Sequence, residues 1–339
     1  MAVQSAFRRL AALLLLLTAA VLLTACGGGE TGATEGGGRY VIVSGGQSGV
    51  YYPTAGAIAR LARRAEPGLN LDVQTSGGST ANARLLHHGD AQFALMQNNI
   101  AAYARAGEAM FADGEPMTTI QGVAALYPEH IQIVARADAG IESIEDLAGR
   151  TVAIGDIGSG TEADARNIFE AHGMSVDDLG TVERLGGQEA ADYVQDGHID
   201  AAFYTFGVGT SSIQTLAEAA DIVFVPVTGD GRDALMQRYP FYSEAVIPAG
   251  AYGEGVPRAD VPTVSVMATL VARADVPAAV VENVLRGIFA NVEDFHRAHR
   301  RLREVNRADA QAKLSLPMHE GARAFYGEGE DAVEANASP

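Results

Sequence analysis

Four short segments rich in glycine, serine and threonine each follow an apolar run and precede a stretch with a helical pattern. They are residues 44–53, 75–79, 155–161 and 204–210, and we call them the glycine elbows. A helix start presents unpaired backbone N–H groups and partial positive charge, and glycine lets a ligand approach the backbone closely. Each elbow could therefore bind a carboxylate or phosphate without a cationic side chain.

Other patterns that could support catalysis or cofactor binding are weak. Residues 158–163 fit G-x-G-x-x-A, and Glu183 lies at the distance expected of a ribose-binding acid. An exported protein has little access to nucleotide cofactors, so we expect no dinucleotide site. His296 and His299 are three apart on a predicted helix, but the arginines beside them would repel a cation. No P-loop or G-x-S-x-G motif occurs, so we expect no catalytic residue, cofactor or metal.

Length, composition and net charge limit the number of domains and the kinds of partner. The chain has 339 residues, 47% of them hydrophobic, which is enough for two domains with real cores. The formal net charge of −18 makes nucleic acid an unlikely partner, because phosphate backbones bind basic surfaces.

The first residues have the pattern of an export signal. Arg8 and Arg9 precede an apolar run, residues 10–23, which is too short to span a bilayer comfortably. The run ends at Cys26 in a sequence that resembles a bacterial lipobox, and Cys26 is the only cysteine. We expect residues 1–25 to be a lipoprotein signal peptide, Cys26 to carry the lipid, and residues 26–38 to form a glycine-rich tether. The pattern fits both a periplasmic and a cell-surface location.

From residue 39 the chain alternates strand-like and helix-like segments. Strands are predicted at 40–44, 69–75 and 91–96, and the helices that follow them at 53–65, 79–87 and 98–106. Such alternation predicts an α/β fold with a largely parallel sheet covered by helices, in which ligands lie beyond the carboxyl ends of the strands. All four glycine elbows occupy such ends.

Two further strands, 119–127 and 131–135, precede a second alternating series that runs from 151 to 227, with helices predicted at 162–171, 189–196 and 211–219. An apolar run at 263–272 then ends in Val-Ala-Arg-Ala-Asp, as residues 134–138 do, and a helix is predicted from Pro277 into the basic segment 296–303. A chain that leaves one lobe, builds a second and returns would have a cleft between them. We predict lobe 1 from residues 39–136 and 261–327, lobe 2 from 137–260, and a flexible tail at 328–339.

Six motifs occur together and in order. They are residues 44–53, 75–79, 158–161, 204–207 with 212–214, 247–252, and 316–322. The set resembles the TAXI family, the solute-binding proteins of one branch of the TRAP transporters. The resemblance implies a two-lobed type II periplasmic-binding-protein fold with a ligand cleft between the lobes. It also implies capture of a small organic anion or amino acid, of the glutamate, glutamine or 2-oxo acid class, by hinge closure. The loaded receptor would deliver its ligand to a TRAP permease driven by an ion gradient.

The candidate ligand-binding residues lie on the elbows and at one strand end. They are Gly46, Ser48, Gly49, Val50, Tyr51, Tyr52, Ser76, Gly77, Gly78, Ser79, Gln97, Asn98, Ser159, Gly160, Thr161, Tyr204, Thr205, Phe206 and Gly207. Arginine would be the expected clamp for a carboxylate, yet the residue after Thr161 is Glu162, and Arg166 follows one turn later. The sequence leaves open whether either contacts the ligand. For the hydroxyl residues, helix capping is the alternative role.

Two other functions fit the same pattern. A lipoprotein could bind a solute and signal to a membrane kinase, because closure around the ligand is the same in sensing and in transport. A lipid-anchored enzyme would need a base or a metal in the cleft, and the elbows offer neither.

Overall fold

The computed structural model describes residues 37–327. Its helices are α1 (Tyr51–Ala65), α2 (Ser79–His88), α3 (Asn98–Ala106), α4 (Gly160–Ala171), α5 (Gly187–Gln195), α6 (Ser211–Ala219), α7 (Gly229–Arg238), α8 (Ala278–Ala290), α9 (Val292–His296) and α10 (Arg307–Ala312). A last helical stretch begins at residue 320 and continues to 327. None of the helices in residues 37–327 combines the length and the apolar character needed to cross a membrane.

The strands form one continuous mixed sheet. They are β1 (Gly38–Val43), β2 (Leu69–Gln74), β3 (Phe93–Gln97), β4 (Ile120–Arg136), β5 (Thr151–Ala153), β6 (Thr181–Glu183), β7 (Ala201–Phe206), β8 (Ile222–Val225), β9 (Ser243–Ile247) and β10 (Val261–Arg273). Their order is β2-β1-β3-β10-β4-β7-β5-β6, with β8 paired to β4 and β9 to β10. β1 is parallel to β2 and β3, and β5 is parallel to β6 and β7, so the alternating segments predicted these parallel pairs correctly. The prediction of a largely parallel sheet was wrong, because the long strands β4 and β10 are antiparallel to each other and to the strands beside them.

The fold is the two-lobed α/β architecture that the sequence predicted. We call the part around β1, β2 and β3 lobe 1 and the part around β5, β6 and β7 lobe 2. The long antiparallel strands β4 and β10 pass through both, because Val123 of β4 packs in the core around α1 and Ile133 of the same strand packs in the core around α4. The residue boundaries of the lobes given above stay a prediction.

Strand β4 corrects the sequence analysis, which divided it into two. Pro128, Glu129 and His130 looked like a break, yet β4 continues through them. Pro128 lies opposite Met267, at a point where the register between β4 and β10 shifts. A proline is tolerated at such an irregularity, because the strand there needs no N–H donor from it.

Other predicted elements form with small changes at their ends. The helices at Asn98–Ala106 and Ser211–Ala219 have the predicted bounds. Helix α7 and strand β9 were not predicted, because α7 is mostly polar and β9 has only five residues, so neither has a clear hydrophobic periodicity. The helix predicted after Pro277 extended into the basic segment, whereas α8 ends before Asn291 and His299 is outside any helix. The predicted signal peptide, Cys26, most of the tether and the tail lie outside the described residues.

Candidate functional site

A cavity of about 90 Å³ lies where glycine elbows from both lobes meet. It is much smaller than the roughly 300–1,000 Å³ typical of sites for drug-sized ligands, so it suits a small metabolite. Most of the residues predicted from the sequence line it. These are Gly46, Ser48, Gly49, Val50, Tyr51, Ser76, Gly77, Gly78, Ser79, Gln97, Ser159, Gly160, Thr161, Thr205 and Phe206.

Helix starts converge on this cavity. Tyr51 is the first residue of α1, Ser79 of α2 and Gly160 of α4. The backbone N–H groups of these three residues donate no hydrogen bond within residues 37–327. Three helix N-termini from two lobes therefore present unpaired donors and partial positive charge to one small volume. That arrangement favours an anionic group.

The elbows of the two lobes touch each other directly at one side of the cavity. The N–H of Ala81 donates to the carbonyl of Gly158 at 3.0 Å, and the hydroxyl of Thr80 donates to the carbonyl of Ser159 at 3.4 Å. A Cβ atom on Gly77 would lie 2.7 Å from the carbonyl oxygen of Ile157. Glycine is thus required where the elbows before α2 and α4 meet, and the structure has the two lobes in contact around the cavity.

Most hydroxyl groups of the elbows already have partners in the protein. Ser159 caps α4 by accepting from the N–H of Glu162 at 3.1 Å, which is the alternative role considered above. Three other hydroxyls accept hydrogen bonds from backbone N–H groups. The hydroxyl of Ser76 accepts from the N–H of Gly78, and the hydroxyl of Ser79 accepts from the N–H of Gln97. The hydroxyl of Thr161 accepts from the N–H of Thr205. These side chains shape the elbows, and the backbone N–H groups remain as the free donors.

Four of the predicted residues lie outside the cavity lining. Tyr52 is 39% exposed on the outer side of α1. The amide oxygen of Asn98 accepts from the N–H of Met267, so this side chain ties α3 to β10. Tyr204 is fully buried beside Phe206, and Gly207 packs against Arg301. For Tyr204 the reason is strand alternation, which points neighbouring side chains of β7 to opposite faces.

Sequence reasoning missed the most unusual group in the cavity, the carboxyl of Glu129. Glu129 lies on β4 and is 3% exposed, and one of its oxygens accepts from the hydroxyl of Tyr51 at 2.7 Å. Burial raises the pKa of Glu129 to about 8, because the charged form loses its hydration. The signal that could have found it is an acid inside an otherwise apolar strand.

Gln97 supplies a second acceptor. Its side chain is 2% exposed and lines the cavity, and its oxygen Oε1 has no hydrogen-bond donor among the described residues. The side chain also packs on Gly160, where a Cβ atom would lie 2.0 Å from the Oε1 atom. Gln97 thus joins β3 of lobe 1 to the start of α4 in lobe 2.

No lysine, arginine or histidine is among the described residues that line the cavity. Neither Glu162 nor Arg166 is among the residues that line the cavity. Glu162 accepts hydrogen bonds from Arg166 and Arg184, both at 3.0 Å, on the surface of lobe 2. Within residues 37–327 no group of His, Cys, Asp and Glu could hold a metal ion.

A second buried carboxyl, that of Asp164, lies behind the cavity wall. It accepts from Tyr242 at 2.6 Å, from Thr205 at 2.8 Å and from Asn99 at 2.9 Å. Burial raises the pKa of Asp164 to about 6, and these hydrogen bonds oppose the rise. Asn99 belongs to α3 and the other groups to lobe 2, so this network also connects the lobes.

The sequence profile of the NMT1-like family matches residues 42–329, which is most of the chain. The chain belongs to the NMT1-like family. The matched region begins in β1 and includes all four glycine elbows, so the family relationship covers the whole cavity described above.

Three solved structures are similar to this chain at low sequence identity. A protein from Bordetella bronchiseptica RB50 is 15% identical and has a TM-score of 0.54, with 86% of this chain and 98% of that chain covered. The alkanesulfonate-binding protein SsuA from Xanthomonas axonopodis pv. citri, bound to MOPS, is 12% identical over 88% of this chain and 92% of that chain, with a TM-score of 0.47. A putative L-cystine ABC transporter protein from Listeria monocytogenes is 13% identical over 78% and 95%, with a TM-score of 0.48.

Proposed function

We propose that this protein is an extracytoplasmic solute receptor that captures a small organic anion or amino acid between its two lobes. The observation that carries the proposal is the convergence of unpaired helix N-termini from α1, α2 and α4 on one small cavity. Membership of the NMT1-like family and the two-lobed fold support it.

The mechanism follows from where the cavity lies. Ligand groups that bind N–H donors of both lobes make all of these contacts only when the lobes are together, so the ligand favours the closed arrangement. Hydrogen bonds to a charged group contribute about 1.5–3 kcal/mol each. Three of them, with desolvation in a closed cavity, could supply the roughly 8 kcal/mol of micromolar binding after ordering costs.

We further propose that the loaded receptor delivers its ligand to a TRAP-type permease and is held to the membrane by a lipid on Cys26. The six TAXI-like motifs and the lipobox-like sequence support these two statements. A neighbouring gene for a multi-span permease would favour transport, and its deletion should abolish uptake of the bound solute. A neighbouring kinase gene, whose deletion removes a response to the solute and leaves uptake unchanged, would favour a sensor.

Titration calorimetry on the full-length protein in detergent tests the receptor function. The panel holds glutamate, glutamine, 2-oxoglutarate, succinate, and leucine and valine with their 2-oxo acids. We expect about micromolar binding of at least one compound. Absence of heat with every compound, in protein with native circular dichroism, would contradict the proposed ligand class.

Two glycine-to-alanine variants test the location of the site. Gly160→Ala places a Cβ atom against Gln97 at the closed cavity, so we expect about tenfold weaker binding or worse. Gly56→Ala is the matched control, because Gly56 lies within α1 and a Cβ atom there meets no other atom within 4 Å. Equal affinities in the two variants would remove α4 from the site.

A further inference from the structure

The cavity offers two kinds of hydrogen-bonding group, which we call its donor end and its acceptor end. Helix starts contribute backbone donors, which favour a negative group. The side chains of Glu129 and Gln97 contribute acceptor oxygens: the Oε1 atom of Gln97 is buried with no donor among the described residues, and the carboxyl of Glu129 accepts from Tyr51 alone among them. A ligand that satisfies both ends carries an anionic group and a group with several N–H or O–H donors.

Resting on the proposed receptor function, we propose that the carboxylate of Glu129 binds the ammonium group of a zwitterionic α-amino acid. The N–H groups at the starts of α1, α2 and α4 bind the carboxylate of the same ligand. Glu129 is then the residue that selects an amino acid over the corresponding 2-oxo acid, which has the same carbon skeleton and no ammonium group.

Charge supports this assignment. The described lining contains a second acid, Asp156, and no cationic side chain, so the protein places no full positive charge in the cavity to balance Glu129 once it ionises. A plain dicarboxylate would add two negative charges beside a buried acid. A zwitterion adds none in sum, and its ammonium group has three donors for acceptors such as Glu129 and Gln97.

The remaining lining indicates the side chain of the ligand. Val50, Leu185, Phe203 and Phe206 are the apolar residues of the wall. A charged ligand side chain would lie against them without a counter-charge, which is unfavourable in a cavity that excludes water. We therefore assign an amino acid whose side chain is uncharged, such as leucine, valine or glutamine.

Because of the surroundings of Glu129, binding of an amino acid in this way should release a proton. The hydroxyl of Tyr51 from α1 donates to the carboxyl of Glu129, and Val266 lies at the paired position of β10. Beyond the effect of burial, the charge of Asp164 on α4 raises the pKa of Glu129 further, and burial and the charge of Glu129 raise the pKa of Tyr127 on β4. Because the pKa of Glu129 is raised to about 8, the free protein holds its proton at pH 7. An ammonium group at this position favours the ionised form, so the Glu129 proton passes to the buffer when the amino acid binds.

Calorimetry on the full-length protein with matched pairs tests the assignment. The pairs are leucine with 4-methyl-2-oxopentanoate, and valine with 3-methyl-2-oxobutanoate. We expect the amino acid to bind about tenfold more tightly or better. Comparison of phosphate and Tris buffers at pH 7 should show release of about one proton per amino acid bound.

The variant Glu129→Gln keeps the acceptor for Tyr51 and removes the charge. It should weaken amino-acid binding by about tenfold to a hundredfold, abolish proton release and leave any weak oxo-acid binding unchanged. Glu142→Gln is the matched control, because Glu142 is exposed on the surface and is not among the residues that line the cavity.

The outcomes separate the two proposals. Binding of the oxo acids as tight as that of the amino acids, with equal affinity in Glu129→Gln, overturns the role of Glu129 and leaves the receptor function standing. Amino-acid binding without proton release also overturns the ionised Glu129. If neither class binds to folded protein, both proposals fail.

Discussion

Two buried carboxyl groups with different surroundings lie close to the same cavity. Asp164 accepts hydrogen bonds from Asn99, Thr205 and Tyr242, and it lies outside the cavity lining. Glu129 lines the cavity and accepts from Tyr51 alone among the described residues. The carboxyl with three donors has the smaller rise in pKa, to about 6, and the one with a single donor has the larger, to about 8.

The difference separates a structural role from a binding role. A carboxylate has about four lone-pair sites for donors. The protein itself fills most of those of Asp164, so Asp164 holds α3, α4 and β7 together. Glu129 keeps acceptor capacity that the protein does not use, and this capacity faces the cavity. Removing Asp164 should therefore damage the fold, whereas changing Glu129 should alter ligand binding and the pH dependence of stability.

The largest effect on stability is expected from Asp164→Ala. It leaves Asn99, Thr205 and Tyr242 buried without their shared acceptor, so the free energy of unfolding should fall by about 4 kcal/mol. Urea denaturation at pH 7 measures this loss. Asp164→Asn retains one acceptor oxygen and should lose less. If both variants were as stable as the wild type, Asp164 would have no structural role.

A smaller effect is expected from pH. Because the folded pKa of Glu129, about 8, lies above that of the unfolded chain, the folded protein holds a proton that the unfolded chain releases. Stability from this group is therefore lost as pH rises from 5.5 to 7.5, by about 2.5 kcal/mol. Glu129→Gln should remove the pH dependence of stability that Glu129 causes. The pH dependence that Asp164 causes should remain, and it lies below about pH 6 because the pKa of Asp164 is about 6. Parallel stability curves for variant and wild type would contradict the raised pKa.

The smallest effects on stability are expected from two tyrosine variants, each of which removes a hydrogen-bond donor from one of the two carboxyls. Tyr242→Phe removes a hydrogen bond to a group that is ionised at pH 7, so it should cost about 2 kcal/mol. Tyr51→Phe removes one from a carboxyl that is still protonated, and about 1 kcal/mol is expected. Thermal unfolding at pH 7 compares them directly. A greater loss for Tyr51→Phe would mean that Glu129 is already ionised in the free protein.

The elements that build the cavity could be predicted from local sequence. Glycine elbows between apolar runs and helical patterns are local signals, because they depend on backbone freedom and on the unpaired N–H groups of a helix start. For the same reason the bounds of α3 and α6 and the parallel pairing of β1 with β2 and β3 followed from the sequence. Ser159 was correctly considered as a helix cap, which is also a local interaction.

Only the tertiary structure decided which side chains face the cavity and which groups remain unpaired there. Tyr52 and Tyr204 belong to the right segments, yet the helix face and the strand alternation turn them away. Glu129 was overlooked because Pro128 beside it resembled a strand end, and only the pairing of β4 with β10 makes the strand continuous and buries the carboxyl. Burial and the partners of a polar group depend on residues distant in sequence, such as Tyr51 for Glu129 and Tyr242 for Asp164, so the raised pKa values could not be predicted from the local sequence.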